Sequence, residues 1–293
     1  MVKRNIIRLK SRRRKKIWTR AALIALIIFT VYMLFGVAIP KVTESLEQYA
    51  IKKNDPETDV YESDKLRIEY SEVLADEGDY YTADITLKDM NCIKTAFTER
   101  EYSKYKIGDP LEMAAENGAI LAINGDNCCY KKEGLIIRGS RLFSYVRTEG
   151  DILMFSHDGT MRIVNGSELD TEEKVSGLIE EGITDSFCGG TAIMLDGIPA
   201  EKTDDWQTRM AYTCIATKGR GHYFVVVSNS NSTHSSGMTK EELVKVLDGA
   251  GCTDAYILES GTECVFIYKD EIKNNLCGRK NPREISDIIY FAE

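Results

Sequence analysis

Residues 236–268 carry the clearest hydrophobic pattern in the chain. Thr239 precedes a run of helix formers with Glu242 three places on. At that spacing a hydroxyl and a carboxylate each satisfy the other's exposed backbone N–H, which fixes a helix start. Leu243, Val246 and Leu247 share one helical face, and Gly249 and Gly251 offer the positive-φ residue that ends such a helix. Residues 255–258 are then a short apolar run of strand type, 259–263 a glycine-containing turn, and 264–268 a returning strand. Glu259 stands where the first strand breaks into the turn, a common place for polar groups to be held out to a ligand.

Alternation predicts strands at 66–73 and 80–87. A helix entered through Asp109-Pro110 and ended by Gly118 feeds a buried strand at 119–124, followed by Gly125-Asp126. Residues 134–139 form an apolar strand carrying Arg138, suited either to a phosphate or to a structural salt bridge. Residues 152–155 and 161–164 predict a hairpin turned by Asp158-Gly159, with His157 an exposed turn residue. The acidic run 168–181 reads as a solvated helix, 212–217 as a strand, and 222–228 as a strand apolar enough to be central. Many strands, few helices and helix-to-strand units indicate an α+β domain built on a mixed β-sheet with flanking helices.

The N-terminus is patterned differently. Residues 1–20 contain ten Lys or Arg and no acid, and residues 21–39 carry no charge. At about 1.5 Å per residue, that uncharged run nearly matches a hydrocarbon core of about 30 Å. We expect a basic cytoplasmic tail at 1–20, a transmembrane signal-anchor helix at 21–39, a stalk at 40–64 and the domain at 65–293. The positive cluster keeps the N-terminus cytoplasmic and places the C-terminal domain outside the membrane. A cleaved signal peptide ending at Gly36-Val37-Ala38 is the alternative, although signal cores usually run to about 7–15 residues. Beyond residue 20 the chain holds 28 basic and 46 acidic residues, which argues against a nucleic-acid partner for the domain. Eight cysteines without a C-x-x-C spacing argue against a zinc ribbon, and in an oxidising compartment they lead us to expect disulfides.

The stretch GMTKEELVKVLDGAGCTDAYILESGTECVF resembles the GLSLYELAxxLxxLGAxxAxNLDGGGSSTM segment of the phosphodiester glycosidase family. AINGDNCCY keeps the first five residues of that family's AINGDYY, and GLIIRG is similar to GYVIRNG. FCGGTAIMLDG, WQTRMA and EISDIIY follow in the family's order, so the resemblance covers roughly residues 60–293. It implies hydrolysis of a sugar phosphodiester from a cell-envelope or exopolysaccharide glycan, with no cofactor and no metal. Asp126 and Glu259 would then share acid and base work, Arg138 and Arg209 would hold the phosphate, and Asn124 and Asn229 would orient the sugar. Gly125, Gly237 and Gly261 would let the backbone approach the ligand, and His234 would be either a loop acid–base group or an exposed polar residue.

Two motifs depart from the family. Its DGR is here Asn229-Ser230-Asn231, and its DGGGSS is Glu259-Ser260-Gly261-Thr262-Glu263-Cys264. A catalytically degenerate member that binds a glycan or protein partner is therefore the second reading. Cys128, Cys129, Cys188 and Cys264 fall at motif positions that converge in the family. They are read as buried small residues, a disulfide stapling the pocket, or a metal site shared with His234.

Overall fold

The computed structural model describes residues 57–293 apart from 75–77, 133, 230–236 and the side chain of Asp204. The expected tail and span at 1–39 and His234 lie outside the described residues. Among the described residues no helix is long and apolar enough to cross a membrane.

In chain order the strands are β1 (Thr58–Glu62), β2 (Leu66–Val73), β3 (Tyr80–Leu87), β4 (Ile93–Phe97), β5 (Leu121–Asn124) and β6 (Gly134–Arg138). Next come β7 (Arg141–Val146), β8 (Asp151–Ser156), β9 (Met161–Asn165), β10 (Ile183–Cys188), β11 (Thr191–Leu195) and β12 (Ile198–Pro199). The last are β13 (Tyr212–Gly219), β14 (His222–Ser228), β15 (Asp254–Ser260), β16 (Phe266–Tyr268), β17 (Glu271–Ile272) and β18 (Asp287–Phe291). The helices are α1 (Pro110–Glu116), α2 (Glu172–Glu180) and α3 (Lys240–Gly249).

An eight-stranded sheet in the order β1-β2-β3-β14-β13-β15-β11-β12 packs on a five-stranded sheet ordered β17-β16-β5-β18-β4. Alternation explains the layering. On β14, Tyr223, Val225 and Val227 join the core shared with Ile123, Phe266 and Ile289 of the smaller sheet. Phe224 and Val226 turn to the opposite face, where Leu243 and Leu247 of α3 cover them. Buried on both faces, β14 lies between β3 and β13, the central place its unbroken apolar run predicts. Met113 and Ala114 of α1 cover the outer face of the five-stranded sheet against Ile288 and Tyr290. The expected α+β domain with flanking helices is thus observed, and β1 adds to the large sheet from within the stretch expected to be stalk.

The helix starts follow their caps. Thr239 accepts from the Glu242 N–H while Glu242 accepts from the Thr239 N–H, as the spacing predicts. Asp109 caps α1 ahead of Pro110, and Thr171 caps α2. One expectation changes: β15 and β16 are not a hairpin. β15 pairs with β13 and β11 in the large sheet, whereas β16 pairs with β5 in the small one. The turn at 261–265 therefore hands the chain from one sheet to the other, bringing two strand ends together there.

Candidate active site

Asn124, the last residue of β5, clasps the crossing. Its Oδ1 accepts from Thr213 Oγ1 at 2.7 Å on β13 and from the Val265 N–H at 3.1 Å, while its amide donates to the Gly125 carbonyl at 3.0 Å. It is fully buried, and these bonds tie the small sheet to the large one. Gly125 follows because nothing larger fits: a Cβ there would lie 2.0 Å from Asp287 Oδ2.

Asp126 and Asp287 are both fully buried, and one guanidinium serves both. Arg138 Nη2 lies 3.1 Å from Asp126 Oδ1 and 2.8 Å from Asp287 Oδ2, and its Nη1 donates to the Ser186 and Ile137 carbonyls. The guanidinium carbon sits 4.0 Å from the centroid of the Phe187 ring, within cation–π range. Asp126 Oδ2 also accepts from the Cys188 N–H at 2.7 Å. Burial, together with the neighbouring Asp287, pushes the Asp126 carboxyl up to about 7. Asp287 is held below the usual range: burial opposes this, but Arg138 and the Ser286 hydroxyl outweigh it. One cation against two carboxylates leaves a surplus negative charge in a dry place, and a proton on Asp126 relieves it. Asp126, Cys128 and Asp287 could hold an ion, their ligand atoms lying within 4.8 Å of one another. Arg138 already supplies the positive charge between the two carboxylates.

Glu259, at the end of β15, keeps partial access to solvent, unlike Asp126 and Asp287. Asn127 joins it to the Asp126 strand end, donating from Nδ2 to Glu259 Oε2 at 3.4 Å while its Oδ1 accepts from the Ser286 N–H at 3.2 Å. Asn127 adopts φ 52°, the left-handed turn that short polar side chains tolerate best after glycine. The Lys131 ammonium stands over Gly189, so close that a Cβ on that glycine would lie 2.5 Å from Nζ. Its charge acts on Asp126 and Glu259 alike. Burial raises the Glu259 carboxyl above its ordinary value, and Lys131 works against that rise.

The turn after Glu259 is less strained than its missing glycines imply. Gly261 alone takes a left-handed φ, +86°, its N–H bonded to the Ala211 carbonyl at 2.9 Å, while Ser260 and Thr262 keep negative φ. Glu263 is met by Arg283, which neutralises the second acid of the turn.

Other expected site residues have partners of their own. Arg209 donates to the Gly237 carbonyl at 2.8 Å and pairs with Glu242, the capping residue of α3, so its charge is engaged at the helix start. Asn229 is buried, its Oδ1 accepting from the Asn275 N–H at 2.6 Å.

A family model described as phosphodiester glycosidase matches residues 114–292, more than half of the chain. The chain belongs to the phosphodiester glycosidase family. Its fold is similar to the catalytic domain of zebrafish N-acetylglucosamine-1-phosphodiester alpha-N-acetylglucosaminidase, solved auto-inhibited by its pro-peptide. That match has a TM-score of 0.58 and 15% identity, over 81% of this chain and 88% of the other. A hypothetical protein from Synechocystis matches with a TM-score of 0.54 and 10% identity, over 80% of this chain and 63% of the other. In sequence the chain is 23% identical over 264 residues to the SPbeta prophage-derived uncharacterized protein YomE of Bacillus subtilis (strain 168). That alignment covers 81% of this chain but 40% of the relative's length.

For this phosphodiester glycosidase family member the expected disulfides are absent: all eight cysteines are free. Several thiols hydrogen-bond instead. Cys188 Sγ donates to the Leu135 carbonyl at 3.1 Å and accepts from the Leu135 N–H at 3.2 Å. With Ser186, whose Oγ binds the Leu135 carbonyl and the Ile137 N–H, it stitches β10 to β6 through side chains. Cys264 Sγ bonds the Glu259 carbonyl and Cys277 Sγ the Gly261 carbonyl, so both brace the turn. Burial pushes the Cys188 thiol up to about 12. A thiol-reactive disulfide reagent should therefore titrate eight thiols in the denatured, unreduced chain. In the native protein Cys277, the half-buried one, should react first, and fewer than eight thiols after denaturation would overturn the assignment.

Three residues here were not anticipated. Asp287 had a visible signal, a carboxylate directly ahead of the apolar run 288–291. Asn127 and Lys131 had none beyond following the AINGD motif.

Proposed function

We propose that the chain is a membrane-anchored, extracytoplasmic phosphodiester glycosidase that hydrolyses a sugar phosphodiester of an envelope or exopolysaccharide glycan. In this reading residues 1–20 form the cytoplasmic tail, 21–39 the anchor, 40 to about 57 the stalk, and the remainder the working domain.

The observation that carries the reading is a partly accessible carboxyl, Glu259, raised by burial and held by Asn127 at the crossing between the sheets, with the charge of the Lys131 ammonium acting on it. The chemistry asks for these two groups. Cleaving the bond between the anomeric carbon and phosphate oxygen releases a phosphate monoester, whose second pKa of about 6 makes it a good leaving group without a strong general acid. What remains is to activate water and to hold the departing negative charge. Ionised Glu259 takes the water proton as general base, and Lys131 faces the phosphate. Asn127 fixes the Glu259 carboxylate, while Asp126, Arg138 and Asp287 brace the floor beneath without touching substrate.

The purified full-length chain should hydrolyse at least one member of a panel of sugar phosphodiesters, an N-acetylglucosamine phosphodiester included. No turnover by a folded protein that still binds a sugar phosphate would move the assignment to the non-catalytic binder. The pH profile is also fixed in direction. Protonation removes the base, so kcat/KM should fall on the acid side with a midpoint above the ordinary glutamate value of about 4.3. A flat profile down to that value would exclude Glu259 as the base.

A further inference from the structure

Asn127, the residue that holds Glu259, also lines a cavity of about 640 Å³. Glu263, four places beyond Glu259 on the same turn, forms another part of its wall, and the Glu263 charge acts on Glu259. Arg279, Asn281, Arg283 and Glu284 enter the wall from the segment that precedes β18. Turn and segment are tied together there: Arg283 pairs with Glu263 Oε1, while the Thr262 hydroxyl donates to Glu263 Oε2 at 3.2 Å. The cavity thus adjoins the candidate site and brings side chains of its own.

The lining is matched to an uncharged, hydroxyl-rich ligand. Its two guanidinium groups, Arg279 and Arg283, are balanced by two carboxylates, Glu263 and Glu284, and Asn281 adds an amide that both donates and accepts. A phosphate or carboxylate only accepts, so at this wall it would find two donors and also two like charges. A sugar hydroxyl donates as well as accepts, and can answer acids and guanidinium groups at once. A carboxylate offers about four lone-pair sites, so a hydroxyl can share the Glu263 oxygens with Arg283 and Thr262. Tyr130, half exposed in the same cavity, supplies the aromatic surface that accompanies such polar groups in sites for organic ligands.

We propose that this cavity is a subsite for an uncharged sugar unit of the glycan next to the scissile diester, with Glu263, Arg279, Asn281 and Arg283 as its specificity-determining residues. The proposal rests on the glycosidase reading above and names its substrate class: a diester flanked by a neutral sugar rather than by a uronic acid or a second phosphate. Asn127 joins the two places, because it lines the cavity and holds the general base. Glu263, which has no part in the acid–base chemistry above, accepts from a hydroxyl here and repels an anion.

Hydrolysis and calorimetric binding by the full-length chain test this with a sugar methyl phosphodiester, the same diester extended by a neutral hexose, and the same extended by a hexuronate, each extension being placed at either end. At least one hexose extension should raise kcat/KM about tenfold or more over the methyl diester and over the hexuronate at the same end, the size expected of charge-assisted hydrogen bonds. Arg279→Ala/Asn281→Ala, at two exposed positions, should abolish that gain and leave hydrolysis of the methyl diester unchanged. Glu263→Gln should narrow the gap between hexose and hexuronate. A hexuronate that serves as well as the hexose, or a gain that survives the double variant, would overturn the subsite. Calorimetry keeps the two readings apart. Tighter binding of a hexose-extended diester that depends on Arg279 and Asn281, without cleavage of any diester, would sink the glycosidase reading and leave the subsite standing. Cleavage of the methyl diester with no gain from any extension would do the reverse, and neither cleavage nor binding would overturn both.

Discussion

Arg138→Met should remove about 3–5 kcal/mol of folding stability, the cost of stranding buried charges by deleting their partner. That is a large part of the 5–15 kcal/mol that typically separates folded from unfolded domains. Methionine retains a flexible apolar stem against Phe187 and removes the one guanidinium that serves both Asp126 and Asp287. The loss should grow with pH, and the sign follows from the two carboxyls. Asp126 has a folded value raised to about 7, so its contribution is fully present below the unfolded value of about 3.9 and disappears as pH rises toward 7. Asp287 is depressed, so its contribution exists above the unfolded value and is lost only as pH falls through the folded one. Without Arg138 both carboxyls rise, and at pH 8 the variant must hold two ionised groups in the dry interior or protonate them at a cost. Urea unfolding at pH 5 and pH 8 measures this directly. A cost below about 1 kcal/mol, or one equal at both pH values, would mean that the three side chains do not act as a brace. Adding Asp287→Asn to the variant should recover part of the loss at pH 8, because one of the stranded charges is then gone.

How much of this was legible in the sequence depends on the range of the interaction. The α3 start was fully written in Thr239 and Glu242, because a capping box is closed within four residues. β14 was legible because burial on both faces leaves no polar alternation. The partner of β16 was not, since the alternation of Phe266, Ile267 and Tyr268 states that a strand forms but not which sheet receives it. The disulfide expectation failed for a related reason. It came from the compartment assigned to the chain, whereas the fate of each thiol is set by the carbonyl that folding brings beside it, such as Leu135 for Cys188. At the site, the motif residues Asn124, Asp126 and Arg138 could be named in advance but not matched with partners. Two of them meet each other in a buried salt bridge, and the third binds Thr213 across the sheets. Asp287 and Lys131, which complete the charge balance, lie 161 and 5 residues from Asp126 in the chain, and no local pattern connects them.

Glu259→Gln should lower kcat/KM by about 10²–10⁴-fold, the usual span for a positioned acid or base, while leaving the fold intact. Stability should hold or rise slightly at pH 8. The carboxyl is raised by burial, so its ionised form is disfavoured in the folded state, and a neutral amide of the same shape removes that penalty. Loss of activity without loss of stability separates a working carboxylate from a structural one, because residues that brace a fold lose both together. Glu259→Asp gives a finer reading. Aspartate is the family's residue in the corresponding turn, but here the turn carries Ser260 and Thr262 around a single left-handed Gly261. Shortening the side chain withdraws the carboxylate by about 1 Å from the position Asn127 holds, and such an error can cost on the order of a hundredfold in rate. The aspartate variant should therefore be impaired, which would mean that this turn and its glutamate are fitted to each other. If the glutamine variant kept its rate within about threefold, the water would have to be activated elsewhere and Glu259 would lose its role. If aspartate instead raised the rate, the rebuilt turn would be a handicap rather than a matched replacement, and the position of the carboxylate relative to Lys131 would have to be reassigned.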